Sequence, residues 1–366
     1  MQKIFFDHQK FSTQKFGGIS RYFANIIDAI KNNQEFDYLL GVANSQNFYI
    51  KNEQQFLNHP ITNYLLKSEY GFRTFKTNEL YCKYLLKQNR FDVFHPTYYD
   101  PYFIKNLKKP MVTTIHDMTY ERLPAYFWAK DPLTAQKRMS AQRADKIIAI
   151  SETTKKDLLT YLEVDERKVE VIYHGIDLEH KLQVEEINNL PTEYLFFVGD
   201  RGGYKNFYLL LDAFAALSKK HPNLNLVLSG GGKLLGADVE IINRLKINTK
   251  VHHYQVNDAQ LNYLYQNALA FIYPSLYEGF GLPILEAFKA SCPVLLSNND
   301  CFLEIAKEAA VFFHRYSLED LTAQIENLIG NQTLRQSLVA KGSERLKAFP
   351  LTKSMDKTLK LYKTLV

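Results

Sequence analysis

Short runs of apolar residues alternate along the chain with longer stretches in which apolar positions recur every three or four residues. An apolar run without polar alternation suits a strand buried on both faces of a parallel sheet, and the longer period suits a helix lying across that sheet. In the first half the runs fall at 3–6, 38–42, 93–95, 111–115, 146–150 and 169–173. Between the first two, Ile19, Phe23, Ile26, Ile27 and Ile30 predict a helix over 19–31. After a polar stretch at 182–192 the pattern starts again, with strands expected at 194–198, 224–229, 251–254, 270–273 and 293–296 and helices over 206–217, 258–266 and 282–290. The fold class is therefore α/β, with two Rossmann-like, doubly wound domains expected at 1–182 and 190–350. The final stretch 351–366 reads as one more helix. In such sheets ligands bind beyond the carboxyl ends of the strands, and two domains facing each other would enclose a cleft between those ends.

Composition narrows the partners. The chain has 366 residues, 46% of them hydrophobic and 23% charged, which suits a globular protein with a sizeable core. A net charge of +6 favours anionic partners, yet Lys and Arg are scattered. No helix-turn-helix, zinc-finger or stacked-aromatic pattern accompanies the charge, so no nucleic acid is expected. Three cysteines without CxxC spacing suggest neither a zinc site nor a disulfide framework, and a cytoplasmic setting is the natural expectation. No run approaches the ~18 apolar residues of a membrane span, so any membrane contact is expected to be peripheral.

Some motifs point nowhere. Gly230-Gly231-Gly232-Lys233 looks like a phosphate loop, but Leu234 follows where Ser or Thr should stand. There is no GxGxxG after the first strand and no DxD triplet, so neither a nicotinamide or flavin cofactor nor a metal ion is expected. What remains is a set of loops, each where a strand hands over to a helix. Gly17-Gly18 precedes the first helix, where backbone N–H groups could approach a phosphate, although an ordinary flexible turn reads the same way. Phe197 to Asn206 places Arg201 and Lys205 beside three glycines, a planar fork and a point charge that suit phosphate oxygens.

The stretch 276–288, LYEGFGLPILEAF, carries the densest signal. Gly279 and Gly281 keep the turn narrow and Pro283 suits a helix start, so the N–H groups of Phe280, Gly281 and Leu282 are expected to form an anion site. Glu278 and Glu286 would repel a phosphate there, whereas vicinal hydroxyls of a sugar or ribose donate to carboxylates. Glu286 alone is equally explained by the helix dipole; Glu278, before the turn, has less structural excuse.

Two glutamates separated by seven residues, with EGFGLP between and EAFKASCPV after, resemble the retaining glycosyltransferases of family 4, which have the GT-B fold. FGGISRY at 16–22, TTIHDM at 113–118, ISETTKKDL at 150–158, VIYHGID at 171–177 and VGDRGGYKN at 198–206 follow the family's order, so the resemblance spans about Phe16 to Leu303. It implies that Gly17 and Gly18 contact the donor diphosphate, that Arg201 and Lys205 neutralise it, and that Glu286 holds the ribose. It further implies that Glu278, with the amides of Phe280, Gly281 and Leu282, holds sugar hydroxyls and phosphate. His116 would lie under the reacting sugar, although a histidine beside an aspartate at a strand end is ordinarily structural. By resemblance the terminal helix completes the first domain, which recognises the acceptor; its aromatic loops at 95–103 and 120–128 could stack on sugar faces, although packing as loop core explains them slightly better.

The activity implied is retaining, metal-independent, mannosyltransferase-like transfer of a hexose. The donor would be a GDP- or UDP-sugar and the acceptor a glycan or lipid-linked glycan, as in lipopolysaccharide or capsule assembly. Two departures stand out. Asp200 intervenes before Arg201, leaving three residues between Arg201 and Lys205 where the family often has a wider spacing, and His174 stands where an asparagine is common. A sugar-nucleotide epimerase of the same fold would need no acceptor. A non-catalytic nucleotide-sugar-binding subunit would be expected to lack Lys205, Glu278 or Glu286, and all three are present.

Overall fold

The computed structural model describes every residue except 56, 58, 60, 63, 65–70 and 235. It divides into two α/β units: an N-terminal one of Met1–His174 completed by Thr352–Val366, and a C-terminal one of Gly175–Leu351.

In the N-terminal unit the strands are β1 (Gln2–Phe6), β2 (Phe36–Leu40), β3 (Val93–His95), β4 (Val112–Ile115), β5 (Lys146–Ala149) and β6 (Val169–Val171). They pair in parallel as β2-β1-β3 and β4-β5-β6, and a bridge between Phe94 and Met111 joins the two ladders. The helix Gly18–Lys31 buries Phe23, Ile26, Ile27 and Ile30 on this sheet, one residue longer than its apolar period predicts. Gly17 caps it in extended backbone, and Asn32 ends it. The terminal helix Leu351–Lys363 returns here as expected, burying Met355, Leu359 and Tyr362, and the Gln2 side-chain amide donates to the Tyr362 backbone carbonyl at 2.8 Å.

The C-terminal unit holds β7 (Tyr194–Val198), β8 (Asn225–Ser229), β9 (Val251–Tyr254), β10 (Ala270–Tyr273), β11 (Val294–Ser297) and β12 (Val311–Phe313). They form one parallel sheet in the order β12-β11-β10-β7-β8-β9. Strand order reverses between β7 and β10, so the loops leaving these two neighbours diverge to opposite faces and open a crevice at their carboxyl ends. One face of the sheet is sealed by the helices Phe207–Lys220 and Leu318–Gly330, through Phe207, Leu211, Phe214, Leu321 and Ile325.

The boundary falls at Gly175, ahead of the expected connection at 182–192. Ile176 exchanges backbone hydrogen bonds with Phe349 (3.0 Å) and Leu351 (2.9 Å), and a Cβ on Gly175 would come 2.6 Å from the Leu351 backbone. The polar stretch that reads as a linker is instead held to the helix Asp258–Asn267: Gln260 and Asn257 donate to Glu185, and Asn262 donates to the Gln183 carbonyl. Among the described residues no helix is long and apolar enough to cross a membrane.

Candidate active site

The crevice between β7 and β10 brings together residues 73 positions apart. Lys205 ends the turn Gly203–Lys205 after β7, and its Nζ donates to Glu278 Oε1, beyond β10, at 2.6 Å. Both side chains are 14% exposed, so the pair is largely screened from water but still reachable. The loops are stitched by the Leu276 N–H donating to the Tyr204 carbonyl at 2.8 Å and by the Asn206 amide donating to the Arg315 carbonyl at 2.9 Å. Asn206 itself takes the left-handed conformation, φ 57°, between turn and helix. Burial alone would push the Lys205 pKa down, but Glu278 and the hydroxyls of Tyr273 and Tyr204 hold it well above the ordinary lysine value. The ammonium is therefore a fixed cation at neutral pH rather than a proton donor.

The turn after Glu278 leads into the helix Leu282–Lys289, with Pro283 in its first turn. Gly279 is buried there. Gly281 caps the helix at φ 94°, and a Cβ on it would press on Ile284 Cδ1 at 3.0 Å and Phe302 Cε1 at 3.1 Å. Among the described residues nothing accepts from the N–H groups of Gly281 or Leu282. Phe280 does a different job from its neighbours. Its ring is buried edge-on to Phe349 (5.8 Å), and its carbonyl accepts from the Cys301 thiol at 3.2 Å, anchoring the turn. Farther along the helix, half-buried Glu286 accepts from the Tyr265 hydroxyl at 3.3 Å.

Arg201 corrects the reading from sequence. Its guanidinium points away from any diphosphate role: Nε donates to Asp238 Oδ2 at 3.0 Å, Nη1 to the Gly230 carbonyl, and Nη2 to the carbonyls of Gly231, Gly232 and Lys233. The side chain is only 5% exposed. Four successive carbonyls converging on one fork need a left-handed backbone, and Gly230, Gly231 and Gly232 all have positive φ (76°, 64° and 68°). The glycine run set aside as a false phosphate loop is thus the partner of this arginine. Tyr273, Tyr204 and Tyr265 are the residues missed from sequence; Tyr273 has the signal of a tyrosine at a strand's carboxyl end, as in AFIYPS, whereas Tyr204 in its turn and Tyr265 on its helix have none.

Within the N-terminal unit, Gly17 and Gly18 open the helix as expected. Gln14 Oε1 takes the Ser20 N–H at 3.3 Å, while among the described residues nothing accepts from the N–H groups of Gly18 and Ile19. His116 follows β4; its backbone N–H donates to the Tyr99 hydroxyl at 2.9 Å, and its ring stacks on His174 at 6.0 Å. Burial, then the neighbouring His174, Lys10, His95 and Lys137, hold the His116 pKa well below the usual histidine value. Burial likewise lowers His174 to about 4 and His95 to about 3. All three rings are neutral at pH 7.

Acid should weaken this unit. Below an unfolded pKa of about 6.5 the unfolded chain takes up protons that the folded rings refuse, so stability falls as pH drops through the window down to about 4. Each ring contributes up to about 1.4 kcal/mol per pH unit. The expected result is an unfolding temperature that declines steadily between about pH 7 and pH 5; a flat profile would contradict the neutral assignment.

Comparison with known proteins gives two family matches that together cover most of the chain. The description Glycosyltransferase Family 4 matches residues 16–180, and Glycosyl transferases group 1 matches residues 180–345. An O-antigen chain mannosyltransferase of Salmonella typhimurium is 26% identical over 223 residues, 61% of this chain and 62% of that protein. O-antigen chain mannosyltransferase B of Escherichia coli is 24% identical over 294 residues, 75% of this chain and 74% of that protein. The match thus spans about three-fifths of the Salmonella protein's length. Among solved structures, sucrose-phosphate synthase from Thermosynechococcus elongatus superposes with a TM-score of 0.77 at 18% identity, covering 100% of this chain and 99% of that one. The Anabaena protein HepE, solved with UDP and glucose, gives 0.76 at 16% identity with full coverage of both chains.

Proposed function

Since the chain belongs to glycosyltransferase family 4, with the GT-B fold, we propose that it is a retaining, metal-independent enzyme moving a sugar from a nucleotide-diphosphate donor to a saccharide or lipid-linked saccharide in surface-polysaccharide assembly. The Lys205–Glu278 pair at the β7/β10 crevice is the observation that carries the reading. Breaking a sugar–phosphate bond builds negative charge on the departing diphosphate and positive charge at the anomeric carbon. A permanently protonated Lys205, beside the open N–H groups of Gly281 and Leu282, supports the first charge without a metal ion. Glu278, which bonds Lys205 and the Tyr273 hydroxyl, has further carboxylate lone pairs that suit sugar hydroxyls. Neutral His116 suits a place beneath an electron-poor sugar, because a cation there would oppose the developing positive charge. The acceptor hydroxyl would lose its proton to the leaving diphosphate on the same face, which retains the donor's configuration.

Thermal unfolding against UDP, GDP, dTDP and ADP and their sugars tests the class. A ligand at about 100 times its Kd stabilises by about 2.7 kcal/mol. No stabilisation by any of them would overturn the proposal. With the best binder, product NMR is expected to report an unchanged anomeric configuration and EDTA is expected to leave the rate intact. Glu286→Ala is expected to weaken nucleoside diphosphate binding by about tenfold, the loss of a hydrogen bond to a charged group, with a smaller change in kcat. Calorimetry giving a wild-type Kd would remove Glu286 from the ribose.

A further inference from the structure

Beyond β1 the N-terminal unit makes a short helix, Gln9–Thr13, whose backbone is tied to the end of the neighbouring strand. The Thr97 hydroxyl accepts from the Lys10 N–H at 3.1 Å and donates to Asp7 Oδ1 at 2.8 Å, and Asp7 is fully buried. The Lys10 side chain lies across the face of Tyr98, with Nζ 3.4 Å from the ring centroid. Tyr98 packs on Tyr99 at 4.4 Å, and the Tyr99 hydroxyl accepts from the His116 N–H at 2.9 Å. Lys10 and His116 thus belong to one cluster, at the carboxyl ends of β1, β3 and β4.

The ammonium in this cluster lacks an acceptor. Lys10 is half-buried, yet among the described residues no atom takes a hydrogen bond from its three Nζ donors. Burial lowers its pKa to about 8, and the nearby charge of Asp117 offsets that only in part. Lys205 shows the contrast: it too is largely screened from water, but Glu278 at 2.6 Å holds its pKa well above the ordinary value. A cation withdrawn from water without an acceptor costs stability unless a ligand supplies the missing charge. The Tyr98 face meets part of that need, but an aromatic quadrupole is a weaker partner than an oxyanion.

We propose that Lys10 binds an oxyanion, a phosphate or carboxylate carried by the acceptor, and so selects an acidic acceptor over a neutral one. The donor diphosphate has its own partners in the C-terminal unit on the functional reading, namely Lys205 and the N–H groups of Gly281 and Leu282. Calling the ligand an acceptor rests on that reading; the site for an oxyanion rests on the surroundings of Lys10 alone.

Calorimetry on the full chain tests this without turnover. Glucosyl phosphate, methyl glucuronoside and neutral methyl glucoside are titrated in turn, first alone and then with the best-binding nucleoside diphosphate at saturation. One of the two acids is expected to bind about tenfold or more tightly than the neutral glycoside, and its identity names the oxyanion as phosphate or carboxylate. Lys10→Met is expected to lose about tenfold or more of that affinity, Lys10→Arg to keep most of it, and both to keep wild-type affinity for nucleoside diphosphate. Methionine keeps a stem on Tyr98 and removes a charge that burial disfavours, so its unfolding temperature without ligand is expected at or above the wild-type value. Failure of both acids to outbind the neutral glycoside overturns the proposal, as does wild-type affinity for the acid in Lys10→Met. Loss of nucleoside diphosphate affinity in Lys10→Met overturns it too, by moving Lys10 to the donor. An acid held through Lys10 by a chain that no nucleoside diphosphate stabilises sinks the glycosyltransferase reading and leaves the oxyanion site standing.

Discussion

Lys205→Ala is expected to lower kcat by about a thousandfold with a modest change in donor KM, the loss that follows removal of a donor aimed at a developing anion. That corresponds to about 4 kcal/mol of transition-state stabilisation. The loss has two parts. One is the missing cation; the other is Glu278, left at 14% exposure without its 2.6 Å partner and repelling the diphosphate that must settle nearby. The double variant Lys205→Ala/Glu278→Ala is therefore expected to bind nucleoside diphosphate better than Lys205→Ala, while turning over no faster. Steady-state kinetics with calorimetry on the wild type and the two variants measures both parts. Near-wild-type kcat in Lys205→Ala would remove Lys205 from the chemistry.

Arg201→Ala is expected to act chiefly on stability. It leaves Asp238, 2% exposed, without its counter-ion and withdraws the donors from four consecutive carbonyls. Breaking one side of a buried pair costs about 3–5 kcal/mol, and the unfolding temperature of the C-terminal unit should fall on the order of 10 °C. Arg201→Lys should rescue little, because one ammonium cannot reproduce a planar fork serving both Asp238 and the glycine carbonyls. An unchanged unfolding temperature with lost diphosphate affinity would restore the phosphate role that the sequence suggests.

These two residues show how the sequence and the structure divide the site. Arg201 and Lys205 lie four positions apart in one glycine-rich loop, and in the sequence both read as phosphate cations. The structure separates them through Asp238, on the helix Gly236–Arg244, and Glu278, in the turn beyond β10. The glycine run at 230–232 misled for the same reason: its left-handed turns serve an internal guanidinium, and nothing local distinguishes that from a ligand. β12, the short run VFF at 311–313, is not among the strands expected from the sequence. The domain boundary was misplaced because polarity at 182–192 resembles a linker, while the contacts that hold it come from 257–262.

By itself the sequence determined the order of elements and the α/β class, since strands buried on both faces must be written as apolar runs and the helices between them as one-sided periods. It determined as well that the EGFGLP turn opens a helix with unsatisfied donors, because glycine, proline and helix-end chemistry are local. The tertiary structure alone decided which charges meet. Hydrogen-bond partners 37 and 73 residues away are set by the β12-β11-β10-β7-β8-β9 order, and only that order makes Lys205 a cation at the crevice and Arg201 a brace behind it.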